Sequence, residues 1–476
     1  MRLVDLNDGL AAIVASARAE PPRLVISSLL FADRVDEHLT LMTEIRRAGL
    51  RAHLTLMGHL PTLDHAGLEE VCPALDSVLR GDAETWAPQL ARCVLGAGDW
   101  QTVPGIVLRH RDARPRPLPR PDTCLDKYAE PLREQLPLFR GYQFATLESS
   151  RGCYHACSFC LPAASYRVQG APYRVRPIAT VVDEIESLSR RGVRLFLFDD
   201  DEFLPPVPAR AQRIRAFAAE LERRDLEIAF TIKCRADDVE PASFRRLKEI
   251  GLLRVYLGVE SGCQATLDLF DKRTTVRQNE EALTTLQALG IVADFRCLLF
   301  HPWSTLDTLE TDIRFLQAVL PCCPTLFDVR EVQVYPGTPL AHRLSLERGS
   351  PAALGLCSYT LADPRAEFMR RLGRIIFEAS EPLRQVRHWV TEEWYAVLLA
   401  QRFQRESYAA NGALELTRAV TRLNADILQI WREILAFVRA GDIDDPAAFD
   451  TCAAGWAVEI NSACARANLS KSFYTN

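Results

Sequence analysis

Long apolar runs are missing from this chain. None approaches the roughly 18–20 residues that a bilayer-spanning helix needs, and the start, Met1-Arg2-Leu3-Val4-Asp5, lacks the basic-then-apolar layout of a secretory leader. An excess of positive charge is missing too: 57 Lys and Arg stand against 62 Asp and Glu, a net charge of -5. Nothing in that balance suggests a nucleic-acid-binding surface overall. The 14 cysteines of the 476 residues show no disulfide framework. They fit a reducing cytoplasm, with most thiols acting as small buried hydrophobes. Paired metal-type spacings are scarce: Cys322 and Cys323 are adjacent, Cys452 and Cys464 have no C-x2-C partner, and Cys72, Cys93 and Cys124 lie far apart. The remaining composition is ordinary for a globular protein, 48% hydrophobic and 25% charged, and long enough for two or three domains.

One run stands out, Arg151-Gly152-Cys153-Tyr154-His155-Ala156-Cys157-Ser158-Phe159-Cys160. Its C-x3-C-x2-C spacing offers three thiolates from one short loop. A structural zinc site asks for four closed ligands. A four-iron–four-sulfur cluster held by three cysteines keeps one iron open for a small molecule, and an open iron suits chelation of the amino and carboxylate groups of S-adenosylmethionine. The bland alternative is a chance cluster of thiols. A preceding glycine, a strand-like run at 142–147 and the strand–helix units that follow argue against it.

Three structured regions and a linker are expected. Over 1–108, apolar runs at 24–29 and 52–57 alternate with helical patterns, which predicts a Rossmann-like, doubly wound parallel α/β domain. Residues 109–141 form a linker whose opening, 109–121, is rich in Pro and Arg and therefore extended. Its basic residues are either a phosphate contact or a solvated spacer, and the spacer is favoured. Over 142–345, six strand candidates end at 146–147, 195–198, 228–232, 255–259, 295–300 and 332–335. They imply a partial (β/α)6 barrel with its chemistry at the C-terminal strand ends. Residues 346–476 read as a helical domain, with periodic stretches at 368–379, 389–403 and 416–438.

The cysteine motif, with aromatic Phe159 before its last cysteine, resembles that of radical S-adenosylmethionine (radical SAM) enzymes. The resemblance implies that Cys153, Cys157 and Cys160 hold one 4Fe-4S cluster and that Phe159 lies against the cofactors. It extends along the barrel. Phe198, Asp200, Asp201 and Phe203 match F-x-D-D-x-F, where Asp200 or Asp201 accepts from the ammonium of S-adenosylmethionine. Four adjacent carboxylates (199–202) are costly unless donors or cations meet them. Arg235, Ala236 and Asp237 match Arg-Ala-Asp, and Arg235 either clamps a carboxylate with two parallel bonds or pairs with a neighbouring Asp. Gly258-Val259-Glu260-Ser261 resembles G-x-E-S, in which Glu260 accepts from ribose or ammonium groups beside Ser261. Trp303, in a Pro-Trp-Ser run, stacks on substrate or adenine, or is an ordinary core Trp. Tyr335 opens a Y-P-G-T-P turn that reads as structural, with the tyrosine a candidate to face the chamber.

The first region resembles the cobalamin-binding domain that precedes the barrel in one radical SAM branch. Ser27-Ser28-Leu29 fits S-x-L, and Gly58-His59 with Thr62 resembles G-G-H-x-x-T, with Met57 in place of the first glycine. Arg80-Gly81 opens a stretch like R-G-E-G-E. The candidate corrinoid residues are therefore Ser27, Leu29, Gly58, His59, Arg80 and Gly81. Only about 20 residues precede Leu24, so this domain is expected to be shortened, and cobalamin binding stays open. With cobalamin the resemblance implies a C-methyltransferase acting on a small-molecule, natural-product intermediate. Without it, a cobalamin-independent rearrangement or ring-forming radical enzyme is implied. A methylthiotransferase would need a second cluster, and a non-catalytic iron–sulfur sensor is the remaining alternative. An electron donor such as flavodoxin or ferredoxin is implied, with neither nucleic acid nor membrane as partner and a cytoplasmic location.

Overall fold

The computed structural model describes residues 4–32, 34–108, 118, 120–348, 356–404, 408–441 and 446–467. Most of the Pro/Arg-rich run at 109–121 lies outside the described residues. The chain divides into two compact units: Met1–Ala129, Gly152–Arg174 and Gln333–Tyr359 form the first, and Glu130–Arg151, Val175–Val332 and Thr360–Asn476 the second.

The first unit holds a four-stranded sheet of β1 (Leu24–Ser28), β2 (His53–Met57), β3 (Ser77–Leu79) and β4 (Ile106–Leu108), in that order. β1, β2 and β3 run parallel and β4 closes the edge antiparallel. The order does not reverse within the described strands. The helix between β1 and β2, Val35–Arg47, puts Leu41, Met42 and Ile45 into the core. Its charges suit the helix dipole, Asp36 and Glu37 in the first turn and Arg46 and Arg47 in the last. β2 ends at Gly58, whose φ of +119° brings it against the β1 end; a Cβ there would sit 2.3 Å from the Leu29 carbonyl oxygen. Only glycine tolerates that approach.

The second unit is built on a seven-stranded sheet. Its strands are β5 (Leu138–Phe139), β6 (Tyr142–Leu147), β9 (Val193–Phe198), β10 (Ala229–Arg235), β11 (Leu252–Glu260), β12 (Val292–Phe300) and β13 (Asp328–Glu331), ordered β13-β12-β11-β10-β9-β6-β5. β7 (Ser150–Gly152) and β8 (Tyr173–Val175) pair as a separate two-stranded sheet. From β6 to β13 the six barrel strands are parallel, with β5 antiparallel at one edge. Five expected strands lie where the apolar runs placed them. The sixth differs: it is 328–331, not 332–335. The ladder with β12 ends at Phe300↔Glu331, and Pro336 cannot donate to a ladder beyond it.

The expected boundary at 345/346 is not a core boundary. Helices Pro364–Gly373, Glu381–Leu399, Tyr408–Ala440 and Pro446–Ala467 contribute Leu372, Val390, Trp431 and Ile460 to the same hydrophobic core as Val255 and Phe295 of the barrel strands. Residues 333–359, expected in part with the barrel, belong to the first unit.

Candidate cofactor site

Strand ends of the second unit place the polar residues. β9 stops at Phe198 and its next four carboxylates separate by side. Asp199 is exposed and pairs with Lys233. Asp200 is buried, and its Oδ1 accepts from the backbone N–H of Ser149 (2.9 Å) and of Ser150, and from both serine hydroxyls (3.2 and 2.6 Å). Burial pushes its carboxyl up to about 7 against these donors. Asp201 is half-buried. Glu202 is buried and accepts from the N–H of Leu204 (3.0 Å) and Arg235 (3.2 Å). Burial, then the charge of Asp238, holds its carboxyl well above the usual range. Asp200 Oδ1 thus grips the backbone where β6 leads into the cysteine loop, while its Oδ2 is buried with no hydrogen-bond partner.

Arg235, buried, forms the local ion pair, donating to Asp237 at 2.9 and 3.3 Å and also to the Lys272 carbonyl. Of the two readings the sequence allowed, this is the internal one. Glu260 sits at φ +66°, a conformation non-glycine residues rarely adopt, and accepts from Lys272 Nζ at 2.9 Å. Ser261 is also turned inward. Its hydroxyl donates to Asp312 Oδ1 (2.7 Å), and the Gly262 N–H donates to the same oxygen (2.6 Å). Burial raises the Asp312 carboxyl to about 6. Trp303 is half-buried, its backbone N–H directed at His301 Nδ1 (3.3 Å). His301 is buried, which lowers its imidazole to about 4.

In the first unit the cysteine loop is tied down on several sides. The Cys160 N–H donates to the Cys157 carbonyl (3.1 Å), and Arg167 donates to the His155 carbonyl (2.9 Å). Cys160 caps helix Leu161–Val168, whose N-terminal dipole favours negative charge there. Cys153, Cys157, Cys160 and Phe159 are all half-buried. Among the described residues, no group of three or more His, Cys, Asp or Glu side chains converges as a ligand cage. The donor set itself, three soft thiols on one hydrogen-bonded loop, fits an iron–sulfur cluster with one open iron.

The motifs of the N-terminal domain meet this loop within the same unit. His59 Nδ1 lies 3.2 Å from Ser165 Oγ, and its ring is edge-on to Tyr166 at 5.0 Å. Thr62 joins two motifs, donating to the Gly58 carbonyl (2.7 Å) while accepting from the Gly81 N–H (3.0 Å). Arg80 Nε donates to the Thr62 carbonyl (3.2 Å). Ser27 pairs with His38 Nδ1 at 2.6 Å. Leu29 is buried, its N–H on the Met57 carbonyl (2.8 Å). Asp82 holds Arg174, where the cysteine segment leaves, through bonds of 2.6 and 3.2 Å; both side chains are buried. The Y-P-G-T-P turn belongs here too. Thr338 Oγ1 donates to the Tyr335 carbonyl (2.6 Å), and the Leu340 N–H holds the Ser158 carbonyl (2.9 Å). The expected strand end at Tyr335 is corrected accordingly: Tyr335 is a buried side chain in the core of the first unit, its hydroxyl on Gln333, and does not end a barrel strand.

Sequence reasoning missed Glu202, Lys272, Asp312 and Arg174 as partners of the expected residues. Glu202 had a signal, as the fourth member of the acidic run. The others lie in no motif, and their roles come from contacts across 12 to 92 positions.

Residues 147–316 match the model of the radical SAM superfamily. The chain is 27% identical over 279 residues to the hopanoid C-3 methylase of Methylococcus capsulatus, covering 56% of this chain and 50% of that protein. It is 35% identical over 164 residues to the anaerobic magnesium-protoporphyrin IX monomethyl ester cyclase of Rubrivivax gelatinosus, covering 34% and 28%. The matched regions thus span half or less of these relatives' own length. Among solved structures, the cobalamin-dependent S-adenosylmethionine radical enzyme OxsB, with aqua-cobalamin bound, is similar in fold, with a TM-score of 0.66 at 16% identity over 100% of this chain and 76% of that one. Among the described residues no helix is long and apolar enough to cross a membrane.

Proposed function

We propose, for a chain whose residues 147–316 match the radical SAM superfamily, that the protein is a cobalamin-dependent radical SAM C-methyltransferase acting on a small-molecule intermediate. When bound, the cluster and S-adenosylmethionine supply a 5'-deoxyadenosyl radical, and the corrinoid supplies a carrier for methyl. One observation carries the cobalamin part: the Gly58-His59 and Arg80-Gly81 motifs and the cysteine loop are one hydrogen-bonded body, with His59 3.2 Å from Ser165 on the helix that Cys160 caps. Residues expected at the corrinoid and residues expected at the cluster are thereby held in fixed relation, which a methyl-transferring enzyme needs. The similarity to the hopanoid methylase supports the same reading.

In this reading Cys153, Cys157 and Cys160 are the cluster ligands. Asp200 fixes the backbone of Ser149 and Ser150 at the entrance to their loop. Asp201, Glu260 and Trp303 are the strand-end residues assigned to S-adenosylmethionine and substrate. The reducing equivalents come from a small electron-transfer protein such as flavodoxin or ferredoxin, in the cytoplasm.

The test is anaerobic reconstitution of protein expressed with hydroxocobalamin, followed by reduction. Expected are a corrinoid spectrum, 5'-deoxyadenosine formation lost in Cys153→Ala, Cys157→Ala and Cys160→Ala, and transfer of labelled methyl from S-adenosylmethionine to a substrate. Failure to form 5'-deoxyadenosine under any reductant sinks the enzyme reading. A cluster that always purifies without corrinoid sinks the methyltransferase. Similarity to the protoporphyrin ester cyclase favours a second reading, ring formation, which would yield product without labelled methyl.

A further inference from the structure

Strand β11 ends in a turn that backbones rarely make. Glu260 sits at φ +66°, and the Ser261 N–H donates back to the Val259 carbonyl at 2.9 Å. A bond of that kind across one residue of positive φ is the rare, strained form of the γ-turn. Glycine takes such a conformation at no steric cost, so a glutamate there marks a position whose side chain is needed. Strain of this kind persists only where the surroundings over-determine it.

We propose that Asn279 and Asp312 are positioning residues for S-adenosylmethionine: they hold Glu260 in its turn, so that its carboxylate is presented to the ribose or ammonium groups of that ligand. The proposal rests on the radical SAM reading above.

Asn279, on helix Val276–Ala288, is fully buried. Its Nδ2 donates to the Val259 and Ser261 carbonyls, each at 3.1 Å, so one amide brackets Glu260 on both sides. Its Oδ1 is left buried with no partner, a cost that an apolar side chain filling the same space would avoid. Asp312, on helix Leu306–Val319, is buried as well. Its Oδ1 accepts from the Ser261 hydroxyl (2.7 Å) and the Gly262 N–H (2.6 Å), and the same hydroxyl accepts from the Cys263 N–H (2.9 Å). The helix comes close here, since a Cβ at Gly262 would stand 2.1 Å from Phe315. Val259, Ser261, Gly262 and Cys263 are thereby buried and fixed, and Glu260 between them is half-buried. Its side chain is 17% exposed, against 4% for Lys272, which donates to it at 2.9 Å. The anchors are sealed, and the carboxylate they aim is accessible.

Equilibrium binding of S-adenosylmethionine to the anaerobically reconstituted full chain tests this without turnover. Asn279→Leu nearly keeps the volume, adds no charge and removes both N–H donors. It is expected to raise the dissociation constant about tenfold, with iron content and circular dichroism unchanged. The KM for S-adenosylmethionine in 5'-deoxyadenosine formation should rise by the same factor while kcat holds within about twofold. A residue that merely stabilises the fold would lower the yield of folded enzyme and leave KM where it was. Because Asn279 acts through Glu260, Asn279→Leu should add less than about threefold to the loss in Glu260→Ala. Ser261→Ala, which takes the hydroxyl from Asp312, should follow the same pattern at about threefold, and it carries the test if Asn279→Leu does not fold. The proposal is overturned if the folded variant or Glu260→Ala binds like wild type, or if the losses of Asn279→Leu and Glu260→Ala simply multiply. A wild type that never binds S-adenosylmethionine overturns the function proposed above, and this inference with it.

Discussion

Replacing Asp82 by Ala separates a buried ion pair and reads directly on the cysteine segment. Arg174 is 2% and Asp82 3% exposed at their side chains, so solvent cannot take over the lost partner. Stripping one member of such a pair costs on the order of 3–5 kcal/mol. Arg174 keeps one acceptor, the Asp122 carbonyl at 3.0 Å, and Tyr128, whose hydroxyl also donates to Asp82 (3.1 Å), keeps Thr85 at 3.0 Å, which points to the lower end. At about 1.4 kcal/mol per tenfold, local opening of the segment 161–175 should rise on the order of a hundredfold. Hydrogen exchange measured by mass spectrometry reads that quantity for wild type and variant. The double variant Asp82→Leu/Arg174→Met, which removes both charges, should recover most of the protection, since it strands no charge. If Asp82→Ala speeds exchange there by less than about tenfold, the pair is not what secures the loop and the reasoning fails.

Three further outcomes follow from the geometry. Gly58→Ala places a Cβ 2.3 Å from the Leu29 carbonyl at φ +119° and should destabilise the first unit by at least about 1–3 kcal/mol; an unchanged urea midpoint would refute the close approach. Gly262→Ala puts a Cβ 2.1 Å from Phe315 and should lower the melting temperature of the second unit, which differential scanning calorimetry measures. Asp200 has a folded-state pKa of about 7, raised from 3.8. The folded state therefore holds the proton more tightly. Its stabilising contribution is full below about pH 4 and is lost as pH rises to about 7, with a slope of up to about 1.4 kcal/mol per pH unit. Asp200→Asn should flatten the difference between pH 4 and 7 in denaturant titrations, and a parallel profile would count against the burial argument.

The cysteine spacing was legible because three ligands from one short loop leave a local pattern. Barrel strands were legible because continuous apolar runs such as 295–300 belong in a buried parallel sheet. The sixth strand was misplaced because 328–331, Asp-Val-Arg-Glu, carries three charged residues, a pattern an edge strand tolerates but apolar periodicity overlooks. The place of Tyr335 at the end of a barrel strand was misread for a related reason. It follows that strand closely in sequence, yet the chain crosses into the other unit at Gln333.

By itself the sequence determined the thiol loop, the alternation of strands and helices, and the chemical types available at each strand end, because these depend on neighbours within a few residues. Only the tertiary structure decided which of those groups are spent internally. Asp200 Oδ1 is taken by Ser149 and Ser150, Arg235 by Asp237 and Lys272, and Ser261 by Asp312. The physical reason is that a buried polar group must find a partner, and most of these partners lie tens of residues away in the chain.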